Sequence, residues 1–324
     1  MTKDALRIVY MGTPEFAVAS LRALVEGGYN VVGVVTMPDK PVGRHQSTLQ
    51  ASPVKEYALS VGLPVLQPER LKDETFVEAL RALRPDLGVV VAFRMLPEVV
   101  WALPRLGTFN LHAALLPQYR GAAPINWAII NGDTETGVTT FFLDHQIDTG
   151  RIIHRVPSPI HDEDCVEDVY ERLMTLGAEV VCRTIDDVTA NCVHPVEQAV
   201  LAEGQTLRPA PKLFKENCRI DWSAGVKRCY DFVRGLSPYP AAWTELVQGD
   251  KHIVLKVYRT AKELDSTAAA LPVGTLVAEG KRTLKVALAD GYLHLLEVQP
   301  AGGKRLKAEQ YLCSFRRDVP ARLC

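Results

Sequence analysis

Apolar runs alternate with amphipathic segments along the first part of the chain. Strand-like runs occupy residues 6–11, 31–36, 64–67, 86–92, 107–112 and 137–144. Helix-like stretches lie within residues 12–28, 52–61, 72–83, 97–102, 123–132 and 163–189. The strands are almost continuously apolar, which indicates burial on both faces, and strands separated by helices are typical of parallel sheets. We therefore predict an α/β fold with a Rossmann-like, mostly parallel sheet.

The pattern changes near residue 190. Residues 191–207 mix polar residues with Pro and Gly, as a linker does, and a helix-like segment follows at 227–236. Short β-rich runs separated by turn residues occupy 241–247, 252–261, 274–280, 283–290 and 291–299. This pattern predicts a small OB-like β-barrel. A chain of 324 residues normally forms more than one domain. We predict a catalytic domain at 1–190, a linker at 191–207 and a C-terminal domain at 208–324.

Charge is distributed unevenly between the two parts. Residues 1–204 contain 17 Lys and Arg against 26 Asp and Glu, whereas residues 205–324 contain 20 against 12. This asymmetry indicates that the C-terminal part meets a polyanion, although a solvated basic surface is the plain alternative. No apolar run is long enough to span a membrane, and the first residues show no signal-peptide pattern. We expect a cytoplasmic protein with no membrane partner.

The cysteine and histidine spacing argues against a metal centre. The chain has seven cysteines, an odd number, with irregular spacing and no C-x-x-C pair, which favours reduced thiols. His154, His161 and Cys165 come nearest to a ligand cluster, and we expect no metal there. Neither a G-x-G-x-x-G fingerprint nor a P-loop is present.

The clearest candidate chemistry lies in GTFNLHAALLPQYRGAAPI at 107–125, followed by LDHQIDTG. Asn110 and His112 are two residues apart on a predicted strand, so their side chains point to the same face. Asp148 follows in a turn closed by Gly150. A hydrogen-bond donor, a base and a carboxylate are the groups that acyl-type transfer needs. Each residue alone has an ordinary structural explanation; the combination favours a site at the carboxyl end of the strand.

A long segment at 37–55 connects the second predicted strand to the next helix. It exceeds the usual length of such a connection and carries Lys40, Arg44, His45 and Lys55 among Pro and Gly residues. Two interpretations remain open on these residues alone. The segment is either an exposed loop with incidental charges or an arm that contacts a polyanionic substrate.

FNLHAALLPQYRGAAPI together with LDHQIDTG resembles the folate-dependent formyltransferases. The family pattern is Asn-x-His, then Ser-Leu-Leu-Pro, then Asp-x-Gly, and this chain matches it in order and spacing. The segments GTPEFA, PDKPVGR, SPVK, RIDWS, SPYPAAW and VQPAGGK are similar to the methionyl-tRNA formyltransferase branch, so the resemblance covers nearly the whole chain. Two departures are Ala114, where the family usually has Ser, and Gln146, where Gly often precedes the catalytic Asp.

The resemblance implies transfer of a formyl group from 10-formyltetrahydrofolate to the α-amino group of methionyl initiator tRNA, which supports translation initiation. It implies that Asn110 stabilises an oxyanion and that His112, oriented by Asp148, moves a proton. The folate contacts it implies are Phe93, Arg94, Met95, Leu96, Leu115, Leu116, Pro117 and Asp144. The resemblance implies a tRNA contact at Arg44. Further candidate tRNA contacts are Lys40 on the same loop and Lys304, Arg305 and Lys307, which form the densest basic run of the C-terminal part. We expect a monomer that requires no metal.

Three other functions stay open. A sugar-nucleotide formyltransferase would apply the same chemistry to another amine, and it shares RIDW and PYP. A catalytically idle RNA-binding protein would not need Asn110, His112 and Asp148 together. A folate-binding hydrolase would release formate and leave the basic C-terminal part without a role.

Overall fold

The computed structural model describes residues 2–42 and 48–324, which form two compact units. Unit 1 comprises Met1–Gly121, Thr136–Pro159 and Tyr170–Pro209. Unit 2 comprises Ala122–Glu135, Ile160–Val169 and Ala210–Cys324. The division differs from the predicted boundaries, because two short segments of the predicted catalytic domain pack with the C-terminal residues. The segment predicted as a linker, 191–207, packs with unit 1.

Strands and helices alternate through the first two hundred residues. The strands are β1 Ile8–Gly12, β2 Val31–Val35, β3 Lys40–Val42, β4 Thr48–Gln50, β5 Val65–Leu66, β6 Leu87–Val91, β7 Thr108–His112, β8 Glu135–Phe142 and β9 Ile152–Pro159. The helices are α1 Glu15–Glu26, α2 Pro53–Ser60, α3 Glu74–Ala82, α4 Glu98–Trp101, α5 Pro124–Ile130, α6 Val166–Thr189 and α7 Gln198–Ala202. Helix α5 lies within unit 2.

Unit 1 is built on a seven-stranded sheet with the order β5-β2-β1-β6-β7-β8-β9. The first five strands in this order pair in parallel, and β7 pairs antiparallel with β8. The predicted mostly parallel α/β fold is confirmed. Strand β9, which the sequence analysis missed, carries two prolines and lies at the sheet edge, where a missing backbone N–H is tolerated. The separate β3–β4 hairpin was also missed.

Buried apolar strands explain why this sheet forms. Every residue of β1 and β6 is buried, and helices α1 and α3 each bury one apolar face. Where β6 passes β7, Gly88 leaves room for its neighbour: a Cβ there would lie 2.4 Å from the Thr108 hydroxyl oxygen. The close approach aligns β7 with β6, and β7 carries the predicted catalytic pair.

Unit 2 is built on an antiparallel sheet. Its strands are β10 Ala242–Gln248, β11 Lys251–Leu264, β12 Leu276–Glu279, β13 Thr283–Leu288, β14 Gly291–Pro300, β15 Leu306–Lys307 and β16 Ala321–Leu323, and its further helices are α8 Val226–Arg234 and α9 Ala308–Leu312. The order is β12-β13-β14-β11-β10-β16, with β15 paired to β14. A bridge between Thr275 and Arg322 joins the two ends of this order, so the sheet is a nearly closed barrel. The predicted C-terminal β-barrel is confirmed.

Polar contacts explain why residues 160–169 belong to unit 2. The Arg234 guanidinium on α8 donates to the backbone carbonyls of His161 and Asp164, at 3.1 and 2.9 Å. The Tyr230 hydroxyl donates to the Asp162 carbonyl at 2.8 Å, and Lys262 forms an ion pair with the Asp162 carboxylate at 2.6 Å. These contacts join residues about 70 to 100 positions apart, which no local sequence pattern could reveal.

Candidate active site

Strand β7 positions both Asn110 and His112. His112 is its last residue and pairs with Thr139 of β8, while Asn110 pairs with Phe141. His112 is 6% exposed, and Asn110 is half-buried. Within the described part of the chain the Asn110 side-chain amide has no hydrogen-bonding partner, so it is available to a ligand.

A backbone carbonyl orients the His112 ring. Nε2 of His112 lies 2.8 Å from the Tyr119 carbonyl oxygen, which can only accept, so Nε2 carries the hydrogen. Nδ1 then bears the lone pair of the neutral ring, and it lies 3.9 Å from Oδ2 of Asp148. That distance exceeds hydrogen-bond length. The Tyr119 carbonyl therefore fixes the orientation of the ring in this structure, and the role of Asp148 in orienting His112 stays a prediction.

Asp148 is fixed by the turn around it. Its φ of 54° lies in the left-handed region, which Asp tolerates better than most residues. Its Oδ2 accepts from the Gly121 backbone N–H at 3.0 Å. A Cβ on Gly150 would lie 1.7 Å from the Phe142 carbonyl oxygen, which accounts for the Gly that closes the turn. Asp148 therefore faces His112 from a defined position.

Two of the segments predicted to contact folate are the loops that follow β6 and β8, and these loops lie side by side. His145 lies edge-on to Trp101 with ring centroids 5.4 Å apart, and its Nδ1 is 3.8 Å from the Glu98 carboxylate. Met95 and Ile147, one on each loop, are 74% and 62% exposed. Exposed apolar side chains on adjoining loops suit a ligand with an aromatic ring system.

The other predicted folate residues on these two loops differ in their surroundings. Leu96 is buried in the core of unit 1, and Phe93 packs against that core. The Arg94 guanidinium donates to the carbonyls of Pro68 and Glu69, and burial lowers its pKa below the ordinary value. Arg94 Nε is buried without a partner among the described residues.

The Asp144 side chain forms hydrogen bonds within its own turn. Its Oδ1 accepts from the Gln146 backbone N–H at 3.0 Å and from the Thr149 hydroxyl at 2.8 Å. The Gln that departs from the family pattern thus contributes its backbone N–H to the turn, and its side chain is exposed.

The Leu-Leu-Pro segment is mostly internal. Leu116 and Pro117 are buried, and Leu116 packs with Phe141 and Ile152. Leu115 is half-buried. Ala114 is fully buried, and its carbonyl accepts from the Thr139 hydroxyl at 2.6 Å. A Ser at position 114 would therefore direct its hydroxyl into the protein interior.

Four of the five predicted tRNA contacts lie on segments that the structure describes, and all four are exposed. Lys40 is exposed on β3, whereas Arg44 lies outside the described residues. Lys304, Arg305 and Lys307 are exposed around β15. Arg305 forms an ion pair with Glu297, and its guanidinium lies over a tyrosine ring. One charge of this basic run is therefore already neutralised.

The base of the long loop is anchored by polar contacts. The Thr36 and Ser52 hydroxyls are 2.7 Å apart, and Ser52 also caps α2 by accepting from the Lys55 N–H. Asp39 accepts from the Lys55 ammonium at 2.6 Å and from the Gln67 amide at 2.8 Å. These two hydrogen bonds, that from Lys55 first, hold the pKa of the Asp39 carboxyl below its usual range. The SPVK segment thus fixes where the loop begins and ends.

Two family models match most of the chain. A model described as formyl transferase matches residues 6–185, and one described as formyl transferase, C-terminal domain, matches residues 212–316. The chain belongs to the formyltransferase family. The predicted family is confirmed.

Curated relatives agree with this membership, and solved structures share the fold. The chain is 61% identical to a methionyl-tRNA formyltransferase from Bacteroides thetaiotaomicron and 61% identical to one from Parabacteroides distasonis, in each case over 98% of both chains. HypX from Aquifex aeolicus, solved with tetrahydrofolic acid, shares the fold at a TM-score of 0.64 and 18% identity. The match covers 97% of this chain and 48% of HypX, so the chain spans about half of that protein. The sugar 3N-formyl transferase WlaRD shares the fold at a TM-score of 0.62 and 17% identity, over 93% of this chain and 98% of that one.

Neither a metal cluster nor a membrane-spanning helix occurs within the described ranges, 2–42 and 48–324. These ranges contain no group of three or more His, Cys, Asp or Glu side chains placed to hold a metal ion. They also contain no helix with the length and apolar character needed to cross a membrane.

Proposed function

We propose that the chain transfers the formyl group of 10-formyltetrahydrofolate to the α-amino group of methionine on initiator tRNA. Methionyl-tRNA formyltransferases at 61% identity over nearly the full length support the choice of substrate. The sugar-acting WlaRD is similar at only 17% identity and supports the fold alone. The excess of positive charge in residues 205–324 is consistent with a polyanionic substrate.

The observation that carries the chemistry is the geometry at the end of β7. The amide of Asn110, which has no hydrogen-bonding partner among residues 2–42 and 48–324, shares a strand face with His112, whose Nδ1 lies 3.9 Å from the Asp148 carboxylate. Both atoms are acceptors while the ring is neutral, so a hydrogen bond forms only once Nδ1 takes up a proton, and closing the gap then requires a shift of about 1 Å. Catalytic hydrogen bonds are often long in an unliganded site and shorten when substrate binds.

The reaction forms a bond from the amine nitrogen to the formyl carbon, breaks the bond from that carbon to the folate nitrogen, and moves one proton between the nitrogens. The Asn110 amide N–H donates to the oxyanion that develops on the formyl oxygen, a contact worth ~10²–10³ in rate. His112 accepts the proton of the amine at Nδ1, and the Asp148 carboxylate stabilises the imidazolium. The pair then returns the proton to the leaving nitrogen.

The residues that would bind the folate co-substrate lie on the two adjoining loops that follow β6 and β8, together with Leu115. They supply apolar contact through Met95 and Ile147, which are exposed, and would place the formyl group beside Asn110 and His112 at the end of β7. Lys40, Arg44, Lys304, Arg305 and Lys307 are the proposed tRNA contacts. The barrel of unit 2 supplies most of the positive charge for the phosphate backbone.

The test is a transfer assay with 10-formyltetrahydrofolate and three acceptors: methionine-charged initiator tRNA, methionine-charged elongator tRNA and an amino-sugar nucleotide. Formylation of the initiator alone is expected. Transfer to the sugar nucleotide would replace this proposal with the sugar-nucleotide function. Release of formate without transfer to any acceptor would identify a hydrolase instead.

A further inference from the structure

A buried glutamine lies beside the proposed catalytic pair. Gln198 is the first residue of α7, within the segment that the sequence predicted to be a linker, and it is only 2% exposed. A buried polar side chain must be hydrogen-bonded to avoid a large desolvation cost. Its partners therefore show what this residue does.

All four hydrogen-bonding positions of the Gln198 amide are used. Nε2 donates to the carbonyl oxygens of Asp148 and Gly150, both at 2.9 Å. Oε1 accepts from Nε and a terminal nitrogen of Arg120, at 3.1 and 2.7 Å. Carbonyls only accept and a guanidinium only donates, so the reverse orientation of the amide would break every bond.

The amide connects the two turns that carry the proposed proton-transfer groups. Arg120 lies between Tyr119, whose carbonyl orients His112, and Gly121, whose N–H binds the Asp148 carboxylate. On the other side, Gln198 binds the carbonyl of Asp148 itself. One side chain thus sets the spacing between the turn that orients His112 and the turn that presents Asp148.

The Asp148 backbone needs such a contact. Its φ of 54° is a conformation that persists only where the surroundings over-determine it. The Gly121 N–H fixes the carboxylate, but the carbonyl on the same residue is fixed by Gln198. Together the two bonds hold both ends of Asp148, so its carboxylate cannot turn away from the imidazole.

We propose that Gln198 is a positioning residue for formyl transfer, which holds the Asp148 carboxylate facing the His112 ring, where it can stabilise the imidazolium. The inference rests on the proposed function and adds a residue to its machinery. The Gln198 amide contacts Asp148, Gly150 and Arg120 and neither substrate. We therefore expect it to affect the rate of the chemical step and not substrate binding. A misplacement of about 1 Å at such a site can cost ~10²-fold in rate.

Helix α7 is attached to unit 1 independently of this amide. Val196 forms a two-bond bridge with Ile152 of β9, at 2.8 and 2.9 Å. Leu201 packs against the small core that includes Leu116 and Phe141. Substituting Gln198 should therefore leave the helix in place, and the consequences should appear at Asp148.

The test compares Gln198→Glu with Gln205→Glu in the full-length protein. The first variant keeps the shape and the acceptor for Arg120 but loses the donor to Asp148 and Gly150. The second introduces the same charge in the same segment, on an exposed Gln whose amide contacts Leu201 and Gln118. Gln198→Met removes all four bonds at similar volume. Transfer to initiator tRNA, thermal unfolding and the KM for both substrates are measured for each.

Gln198→Glu and Gln198→Met should lower kcat about 10- to 100-fold, with both KM values within about 3-fold of the wild type. Gln205→Glu should match the wild type. A purely structural role would instead lower the unfolding temperature and the active fraction while leaving kcat per folded site unchanged. Wild-type kcat in both Gln198 variants would overturn the proposal. A wild type that formylates no tRNA would contradict the proposed function and not the positioning.

A crystal structure of each variant tests the positioning without turnover. Gln198→Glu should change the separation of His112 Nδ1 and Asp148 Oδ2 by about 0.5 Å or more. A smaller displacement stays within the tolerance of a catalytic site and would not account for a loss of rate. Gln205→Glu should keep the separation of 3.9 Å. An unchanged separation in Gln198→Glu would overturn the proposal even if activity fell.

Discussion

Two charged segments, the turn at residues 144–150 and the basic run at residues 304–307, differ in how their charged side chains are held. In the first, the Asp148 carboxylate accepts from a backbone N–H and its carbonyl is bound by a buried amide. In the second, Lys304 and Lys307 are exposed, and Arg305 forms an ion pair with Glu297. The first turn fixes one charge in one place, whereas the second presents charge to solvent.

The difference reflects two physical tasks. Proton transfer depends on distances of a few tenths of an ångström, so the group must be pinned by directional bonds. Binding of a phosphate backbone depends on the number of charges, and counterion release makes it sensitive to salt rather than to exact position. Substitutions in the first turn should therefore be severe and independent of salt, and those in the second mild and salt-dependent.

The largest effect is expected for Asp148→Ala. Losing the carboxylate leaves the imidazolium of His112 without its counter-charge, and transfer should fall by ~10²–10⁴. Single-turnover transfer to initiator tRNA measures this, with thermal unfolding to show that the chain is folded. Activity near that of the wild type would remove Asp148 from the mechanism.

A smaller but still large loss is expected for Asn110→Ala. Removing one oxyanion donor typically costs ~10²–10³ in kcat. Because the amide has no partner within the described residues, the substitution should leave the unfolding temperature nearly unchanged. A loss confined to KM would mean that Asn110 binds substrate without stabilising the oxyanion.

Arg44→Ala tests the long loop. If this residue contacts the acceptor end, its loss should raise the KM for tRNA about tenfold, which corresponds to one charge-assisted hydrogen bond, and leave the KM for folate unchanged. Asp39→Asn, which weakens the ion pair with Lys55 at the base of the loop, provides a comparison. Equal effects of Arg44→Ala on both substrates would remove the loop from RNA recognition.

The contribution of the basic run at residues 304–307 to tRNA binding should depend on salt concentration. Replacing Lys304 and Lys307 together by Ala should weaken tRNA binding and reduce the salt slope by about 2, one for each phosphate that a lysine no longer neutralises. Arg305→Ala is the matched control, and its effect should be smaller because the guanidinium is already paired with Glu297. An unchanged salt slope of tRNA binding in the double variant would show that the basic run does not contact the phosphate backbone.

The smallest functional effect is expected for Ala114→Ser, which restores the family's usual residue. The side chain is fully buried, so the hydroxyl should leave the KM for folate within about twofold of the wild type. A buried hydroxyl that finds no acceptor would cost about 1–3 kcal/mol of stability, which denaturant unfolding would detect. A large change in folate KM would place position 114 at the ligand.

The frame of this protein could be predicted from its amino-acid pattern alone. The apolar runs of β1 and β6 predict a buried parallel sheet, because only strands covered on both faces are apolar throughout. The spacing of Asn110 and His112 places both on one strand face, since strand side chains alternate. The family followed from the motifs around these residues, and the family models confirm it.

How these groups are held could be learned only from the folded chain. The His112 ring is oriented by a carbonyl, and the Asp148 carboxylate is bound by the N–H of Gly121, 27 residues away. Every residue has a backbone carbonyl and nearly every one an N–H, so no residue type marks the ones that are used. Gln198 lies 50 residues from Asp148, in a segment whose composition is that of a linker. Its role depends on a contact between distant segments, and such contacts exist only after the chain has folded.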